Sequence, residues 1–420
     1  MLFFPSTMAD CVFENSINTG DQMDLTKIEK LQALIKKNGL DGWLFYDFRG
    51  SNDLALSVLE IPAKAHLTRR FFYFVPAEGE PHKVAMAIEL DNLAHLPGEL
   101  HPYSSYESLN AIMGSILKGV KKVAMEYSPM NAIPYLSKLD AGTYEYLKTF
   151  GLEIVSSGDL LTEFTAVWTK EQYDDNAPVA HALTDIVNMC WKFIKEKIET
   201  VGETTEYEVQ KLIMDEIERR GYYTDHEVIV GVNGNGANPH YSPTPEVWEK
   251  IRKDDFVLID LWAKPNKENG VWADITWTGY VGTEVPERYV KIFNIVKDAR
   301  EAAFNLVSER FAKGEEVRGW EVDAVTRKVI VDAGYGEYFV HRTGHSITTT
   351  LHGTGPHNDN FETKDMRIIL PGTSFSIEPG IYLKGDFGVR SEIDVYIHPD
   401  GKVEQTGGPR QFAVVPILKG

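Results

Sequence analysis

Cysteine is almost missing from this chain. Cys11 and Cys190 are the two in 420 residues. They offer neither a disulfide framework nor a thiolate metal cluster, which points to a reducing compartment and a cytoplasmic location. Cys190 falls inside a helical pattern and reads as a small buried apolar residue. Long apolar runs are absent too. No stretch approaches 18 apolar residues, so no transmembrane helix is expected. The opening Met-Leu-Phe-Phe-Pro lacks a basic flank and a long apolar core, so it makes a poor signal peptide. Positive charge is scarce. Against 62 Asp and Glu stand 43 Lys and Arg, a net charge of −19. That excludes nucleic acid and anionic membrane as main partners, since both need a basic face.

Several catalytic templates are also missing. His226-Glu227 has no second histidine at the zincin spacing, and no Gly-x-Ser-x-Gly elbow occurs. Gly231-x-x-Gly234-x-Gly236 lacks the strand–turn–helix setting of a nucleotide loop, and Pro239 follows closely.

What is present suggests two domains after a loose extension at 1–23, within which Met8 or Met23 could serve as an alternative start. Leu25, Ile28, Leu31, Leu34 and Ile35 share a helical face that stops near Gly39. A strand-like run follows at Trp43–Tyr46. A hairpin pattern joins Phe71–Val75 to Val84–Ile88, and further strand-like runs lie near Val123 and Ile154. Helical patterns occupy 105–118 and 130–149. The alternation reads as an α/β domain over 24–162. The chain turns polar and aperiodic over 163–178, which reads as a linker. A second domain then spans 179–420. It opens with a helix whose buried face holds Val179, Leu183, Ile186, Cys190, Phe193 and Ile198.

That second domain carries an internal repeat. Gly202-Glu203…Tyr207-Glu208-Val209…Gly221-Tyr222 matches Gly314-Glu315…Trp320-Glu321-Val322…Gly334-Tyr335. In each copy an amphipathic helix leads to an apolar run ending in a carboxylate, Asp260 in the first and Glu378 in the second. A second carboxylate follows, Asp274 or Glu392. Fourteen residues separate each pair, and 118 separate the copies. Two such units pack naturally about a pseudo-twofold axis, which would bring the four carboxylates together. They could not all stay ionised without cations between them, and oxygen-rich clusters suit hard or borderline divalent metals. Taken singly, Asp260 reads as readily as a strand-end cap, and Asp274 as an Asx-turn residue. The paired spacing favours the metal reading.

Histidines cluster at His341, His345 and His352. Neutral imidazole is a common companion of carboxylate ligands, and neighbouring histidines can move protons. His357 reads as a satisfied core or surface residue. Together, Leu258-Ile-Asp260, Asp274-Ile-Thr276, His341-x-x-Gly-His345, Pro371-Gly…Ile377-Glu378-Pro-Gly-Ile-Tyr382 and Gly388-Val-Arg390-Ser-Glu392 resemble the pita-bread metallopeptidases, the creatinase, prolidase and aminopeptidase P group. The resemblance spans nearly the whole chain. It implies a creatinase-like α/β N-terminal domain and an α+β pita-bread catalytic domain.

By this resemblance Asp260, Asp274, His345, Glu378 and Glu392 hold two divalent ions, manganese by preference and cobalt or zinc as substitutes. Asp274 and Glu392 would bridge them, and Glu378 would double as general acid/base. His240 would touch the substrate near the scissile bond, and His352 would stabilise the tetrahedral intermediate. His341 and Arg390 would support the ligands from behind. Two metals about 3.5–4 Å apart activate water near neutral pH. The implied activity is hydrolysis of Xaa-Pro bonds in short peptides, aminopeptidase favoured over dipeptidase, by a homodimer. Two other readings are a metal-dependent hydrolase or lyase of a small non-peptide metabolite, and a non-catalytic peptide binder. Four features depart from the family pattern. A three-residue insertion is expected around Lys264–Asn269. Trp277 follows Asp-Ile-Thr, Thr348-Thr349-Thr350 replaces a Gly-containing stretch, and Gly353 follows His352. All four are expected at the active-site rim.

Overall fold

A computed structural model describes residues 25–62 and 64–419. The extension at 1–23, with Cys11, lies outside the described residues. The chain forms two compact units. One comprises the described residues to Met125 with Leu139–Ile154. The other comprises Glu126–Lys138 and the chain from Val155 onward.

The first unit is built on a mixed six-stranded sheet in the order β4-β3-β2-β1-β5-β6. Its strands are β1 (Gly42–Asp47), β2 (Phe71–Pro76), β3 (His82–Met86), β4 (Glu99–Tyr103), β5 (Lys122–Met125) and β6 (Glu153–Ser156). Helices α1 (Leu25–Lys37), α2 (Tyr106–Ile116) and α3 (Ala141–Lys148) accompany it. The aromatic run of β1 is buried along its whole length. β2 and β3 form the expected antiparallel hairpin, with Phe72 opposite Val84.

One helical expectation fails. Over 130–149 only α3 is α-helical. Pro129 and Pro134 start short 3₁₀ turns, and Asp140 caps α3 by accepting from Thr143 N at 2.8 Å. Proline suits a first helical turn but disrupts a helix interior. The stretch 126–138 belongs to the second unit.

In the second unit the aperiodic stretch at 163–178 is not an open linker. Thr162–Ala166 is a π-helical turn, and α4 (Lys170–Thr200) starts nine residues earlier than its apolar face suggests. Thr169 and Gln172 close a reciprocal capping box, which satisfies two of the free N–H groups of the first turn. Asn176, buried and polar, donates to Trp272 O at 2.8 Å. The polar residues that broke the period are caps and partnered side chains.

Behind α4 and α5 (Glu206–Arg219), three strands pair antiparallel: β7 (Ile229–Val232), β8 (Phe256–Pro265) and β9 (Ala273–Tyr280). α6 (Glu287–Lys313) and α7 (Gly319–Asp332) pack on each other ahead of a second sheet. That sheet holds β10 (Ser346–Ile347), β11 (Ser374–Ile377), β14 (Ile393–Ile397) and β15 (Val403–Gln405). The hairpin β12 (Gly380–Leu383) and β13 (Phe387–Arg390) stands between β11 and β14 in the chain. Side chains alternate faces along a strand. Ala273, Ile275 and Trp277 therefore face the core that includes Val179, Leu183 and Ile186 of α4, while Asp274, Thr276 and Thr278 face the other way. Trp277 is thus a core residue and not part of the active-site rim, which corrects the expectation from its sequence neighbours.

Candidate metal centre

The four carboxylates arrive on two strand pairs. Asp260 lies in β8 and Asp274 in β9, with Asp260 opposite Thr276 and Trp262 opposite Asp274. Glu378 follows β11 directly, and Glu392 precedes β14, where Ile377 pairs with Ile393. The two pairs meet through backbone. Asp274 N donates to Asp394 Oδ2 at 2.7 Å, and Glu392 N donates to Thr276 O at 3.3 Å. His345 stands just before β10. Gly344 lets it in, since a Cβ there would lie 2.0 Å from Ser376 O.

Asp260, Asp274, Glu392 and His345 are all buried. His345 Nε2 lies 3.7 Å from Asp274 Oδ2 and 3.5 Å from Glu378 Oε1. Its Nδ1 lies 3.2 Å from Ser346 O. A carbonyl only accepts, so Nδ1 carries the proton and Nε2 turns a free lone pair to the carboxylates. Thr276 sits at the hub. Its hydroxyl receives Arg390 Nε at 2.8 Å and lies 2.6 Å from Glu392 Oε2 and 3.2 Å from Asp260 Oδ1. Arg390 Nη2 pairs with Asp260 Oδ2.

The electrostatics do not balance without added positive charge. Burial, then the nearby Glu392 and Asp260 carboxylates, pushes Asp274 well above the usual carboxylate range. Burial, Glu378 and Asp260 do the same to Glu392. Burial lifts Glu378 to about 7. Asp260 is also raised by burial, against the pull of Arg390. Burial holds His345 far below the usual imidazole range. Asp274 Oδ1 and Glu392 Oε1 are buried with no hydrogen-bond partner. Buried polar atoms are ordinarily partnered, and buried charges are paired or coordinate metals. Ligand atoms of Asp274, His345 and Glu392 lie within 4.8 Å of one another. Oxygen-rich ligands with one imidazole suit divalent ions such as manganese or zinc, so the residues fit the group the sequence implied.

These side chains line a pocket of about 400 Å³, together with His240, His341, Arg342, His352, Tyr135, Trp262 and Glu362. The His352 ring stands 4.3 Å from that of His345. Burial, with Arg342 and His240, lowers His352 to about 4. His341 lies behind the ligands. Its Nδ1 donates to Arg342 O at 2.6 Å, so its Nε2 accepts from Tyr382 OH at 2.8 Å. Arg390 Nη1 donates to the same tyrosine oxygen at 3.4 Å. His357 is the satisfied core residue expected of it: it is buried and accepts from Ser346 N at 3.1 Å.

Several members of the site were not singled out from sequence, Arg342, Asp394, Thr276 and Tyr135 among them. Asp394 is buried against Asp274, and its free Oδ1 has no partner. The two-residue step from Glu392 could have flagged it, since Asp394 lies in β14 just past that ligand. Thr276 could have been found the same way from Asp274. Tyr135 comes from the segment mistaken for helix. It accepts from Arg342 Nη1 at 2.9 Å, and no local sequence signal ties those two residues together.

Residues 179–399 match the model of metallopeptidase family M24. A probable dipeptidase PepE of Mycobacterium tuberculosis is 27% identical over 348 residues, 82% of this chain and 85% of that protein. An Xaa-Pro dipeptidase of Lactobacillus helveticus is 31% identical over 201 residues, 48% of this chain and 50% of that protein. Among solved structures, dipeptidase PepE from Mycobacterium ulcerans covers 94% of this chain and 99% of its own, with a TM-score of 0.67 at 24% identity.

Proposed function

The chain belongs to metallopeptidase family M24, and we propose that it hydrolyses the Xaa-Pro bond of short peptides at a dinuclear centre. The ligands would be Asp260, Asp274, His345, Glu378 and Glu392. The observation that carries this reading is the pair of buried, unpartnered oxygens, Asp274 Oδ1 and Glu392 Oε1, beside the free lone pair of His345. Two divalent ions bound there, manganese in our reading, would supply a water nucleophile at neutral pH and polarise the scissile carbonyl.

The chain's own residues do the rest. Glu378 lines the pocket with Oε1 3.5 Å from His345 Nε2, where a carboxylate can move a proton. It accepts the proton of the attacking water and hands it to the leaving nitrogen, while Ser376 Oγ holds Oε1 at 3.2 Å. His352, neutral and at the pocket wall, donates to the developing oxyanion. His240 lines the same wall and holds the substrate beside the bond. Arg390 and Thr276 fix Asp260 and Glu392, while His341 fixes Tyr382 against Arg390.

Arg342 turns our reading from the expected aminopeptidase toward a dipeptidase. Arg390 is committed to Asp260. Arg342, by contrast, lines the pocket with one nitrogen held by Tyr135 and no carboxylate paired to its guanidinium among the described residues. A guanidinium there suits the C-terminal carboxylate of a dipeptide. Turnover of Ala-Pro, Ala-Pro-Ala and Ala-Ala-Ala by the manganese-loaded protein tests both points. Faster cleavage of Ala-Pro is expected, with Arg342→Met raising its KM about tenfold or more. Cleavage of Ala-Pro-Ala alone would restore the aminopeptidase reading. No cleavage of any peptide would overturn the peptidase assignment in favour of a non-peptide substrate.

A further inference from the structure

Within the first unit alone, three metal-ligating side chains come to one face of the sheet. β3 and β4 pair in parallel, with His82 opposite Glu99 and Val84 opposite His101. Glu99 and His101 are two residues apart, so their side chains share a face, and the register puts His82 on that face too. The convergence follows from strand geometry.

The distances suit a metal better than a hydrogen-bond network. His82 Nδ1 lies 3.0 Å from His101 Nε2. One oxygen, Glu99 Oε2, hangs 3.8 Å from the first nitrogen and 3.6 Å from the second. A lone imidazole pair would explain the short distance by one N–H donated to the other ring. It would not explain a carboxylate oxygen nearly equidistant from both rings and beyond hydrogen-bond reach of either. Ligands bound at about 2.0–2.1 Å in a tetrahedral zinc site lie about 3.3 Å from each other. The three separations bracket that value.

We propose that His82, Glu99 and His101 form a second divalent-metal site, of the zinc class, that clamps strand β4 onto β3. Two imidazole nitrogens and one carboxylate oxygen are a borderline donor set that suits zinc. The imidazole side chains are about a quarter and a fifth exposed, and that of Glu99 is 61% exposed, so an ion can enter and a fourth position stays open to water. Burial, and then His101, keeps His82 below the usual imidazole range, which leaves its lone pair available near neutral pH. The clamp has a structural use. β4 is the outer strand of the sheet and hydrogen-bonds to β3 on one side. A metal bridging the two strands adds a second tie at the edge.

The test is zinc titration of the full-length, manganese-loaded protein, with zinc counted by equilibrium dialysis. The wild type is expected to bind one more equivalent than His82→Ala or His101→Ala, since these changes leave the catalytic centre untouched. Glu99→Gln, exposed and harmless to folding, is expected to weaken that equivalent about tenfold or more. Hydrogen exchange in residues 99–103 should slow with zinc in the wild type and stay unchanged in His101→Ala. Equal stoichiometry in the wild type and folded histidine variants would overturn the proposal. So would unchanged zinc affinity in Glu99→Gln, should either alanine variant fail to fold. Peptidase activity plays no part in these readouts, so this site stands or falls separately from the proposed function.

Discussion

Asp274 shows most clearly what a single residue does here. Its carboxylate is surrounded by Glu392, Asp260, Asp394 and Glu378, and its Oδ1 has no partner. In metal-free protein the raised carboxyls bind protons in the folded state that they release when unfolded. Stability therefore falls as pH rises. Below about 6.5 the buried histidines, whose affinities are lowered, work in the opposite direction. Above that value the carboxyls and the buried Cys190 thiol, which burial pushes up, act in the same direction. Metal-free protein should thus lose Tm between pH 7 and 9, and metal-loaded protein should lose much less. Asp274→Asn removes one charge from the cluster. We expect it to raise the metal-free Tm at pH 8 by about 2–4 °C, the shift that about 1 kcal/mol gives a large domain, and to abolish the further rise on adding manganese. Thermal scans of both proteins with chelator and with metal check this. A metal-free Tm that falls in the variant would mean that Asp274 is a structural partner.

Among the elements, the β8–β9 hairpin contains Lys264–Asn269, where the resemblance implies an insertion. These residues run from the end of β8 into the turn, beyond the paired positions of Asp260 and Asp274. They also meet a second departure. Lys264 Nζ donates to Thr349 O at 3.1 Å, Trp272 Nε1 donates to the same oxygen at 3.0 Å, and Trp272 N donates to Thr348 O at 3.1 Å. Two oddities read separately in the sequence are one contact that holds the chain leading to His352. Lys264→Met should therefore raise the KM for Ala-Pro about three- to tenfold with metal content unchanged, as steady-state kinetics and elemental analysis would show. α4 offers a cleaner stability test. Thr169→Ala removes its N-terminal cap and should lower unfolding stability by about 1 kcal/mol in a urea titration. No change would mean that the first turn is held by its packing alone.

Strong periodicity made α1, β1, the β2–β3 hairpin and the buried face of α4 legible in the sequence. The candidate site residues were proposed from sequence because short motifs fix them locally. Prolines hid the turns at 126–138, and a capping box hid the start of α4. The two copies of the repeat are less alike in the structure than in the sequence. The offset of 118 holds in the sequence, yet the ladders differ. Asp260 pairs with Thr276 inside β8–β9, whereas Glu378 and Glu392 flank the end of the β11–β14 ladder. Equal spacing does not carry equal register: the β8–β9 ladder continues past Asp260 and Asp274 to Ala263 and Ala273, while β12 and β13 fill the stretch between Glu378 and Glu392.

For the whole molecule, the catalytic unit gathers negative charge that the chain itself does not neutralise, in a protein of net charge −19. No described helix is long and apolar enough to cross a membrane. The fold keeps a cluster that burial alone would disfavour, which makes sense if cations complete it. The most direct test is Ala-Pro hydrolysis by protein stripped with excess chelator and then titrated with manganese. No turnover is expected after stripping, with recovery that saturates at two equivalents per chain. Hydrolysis that persists in excess chelator, or recovery complete at one equivalent, would overturn the dinuclear reading.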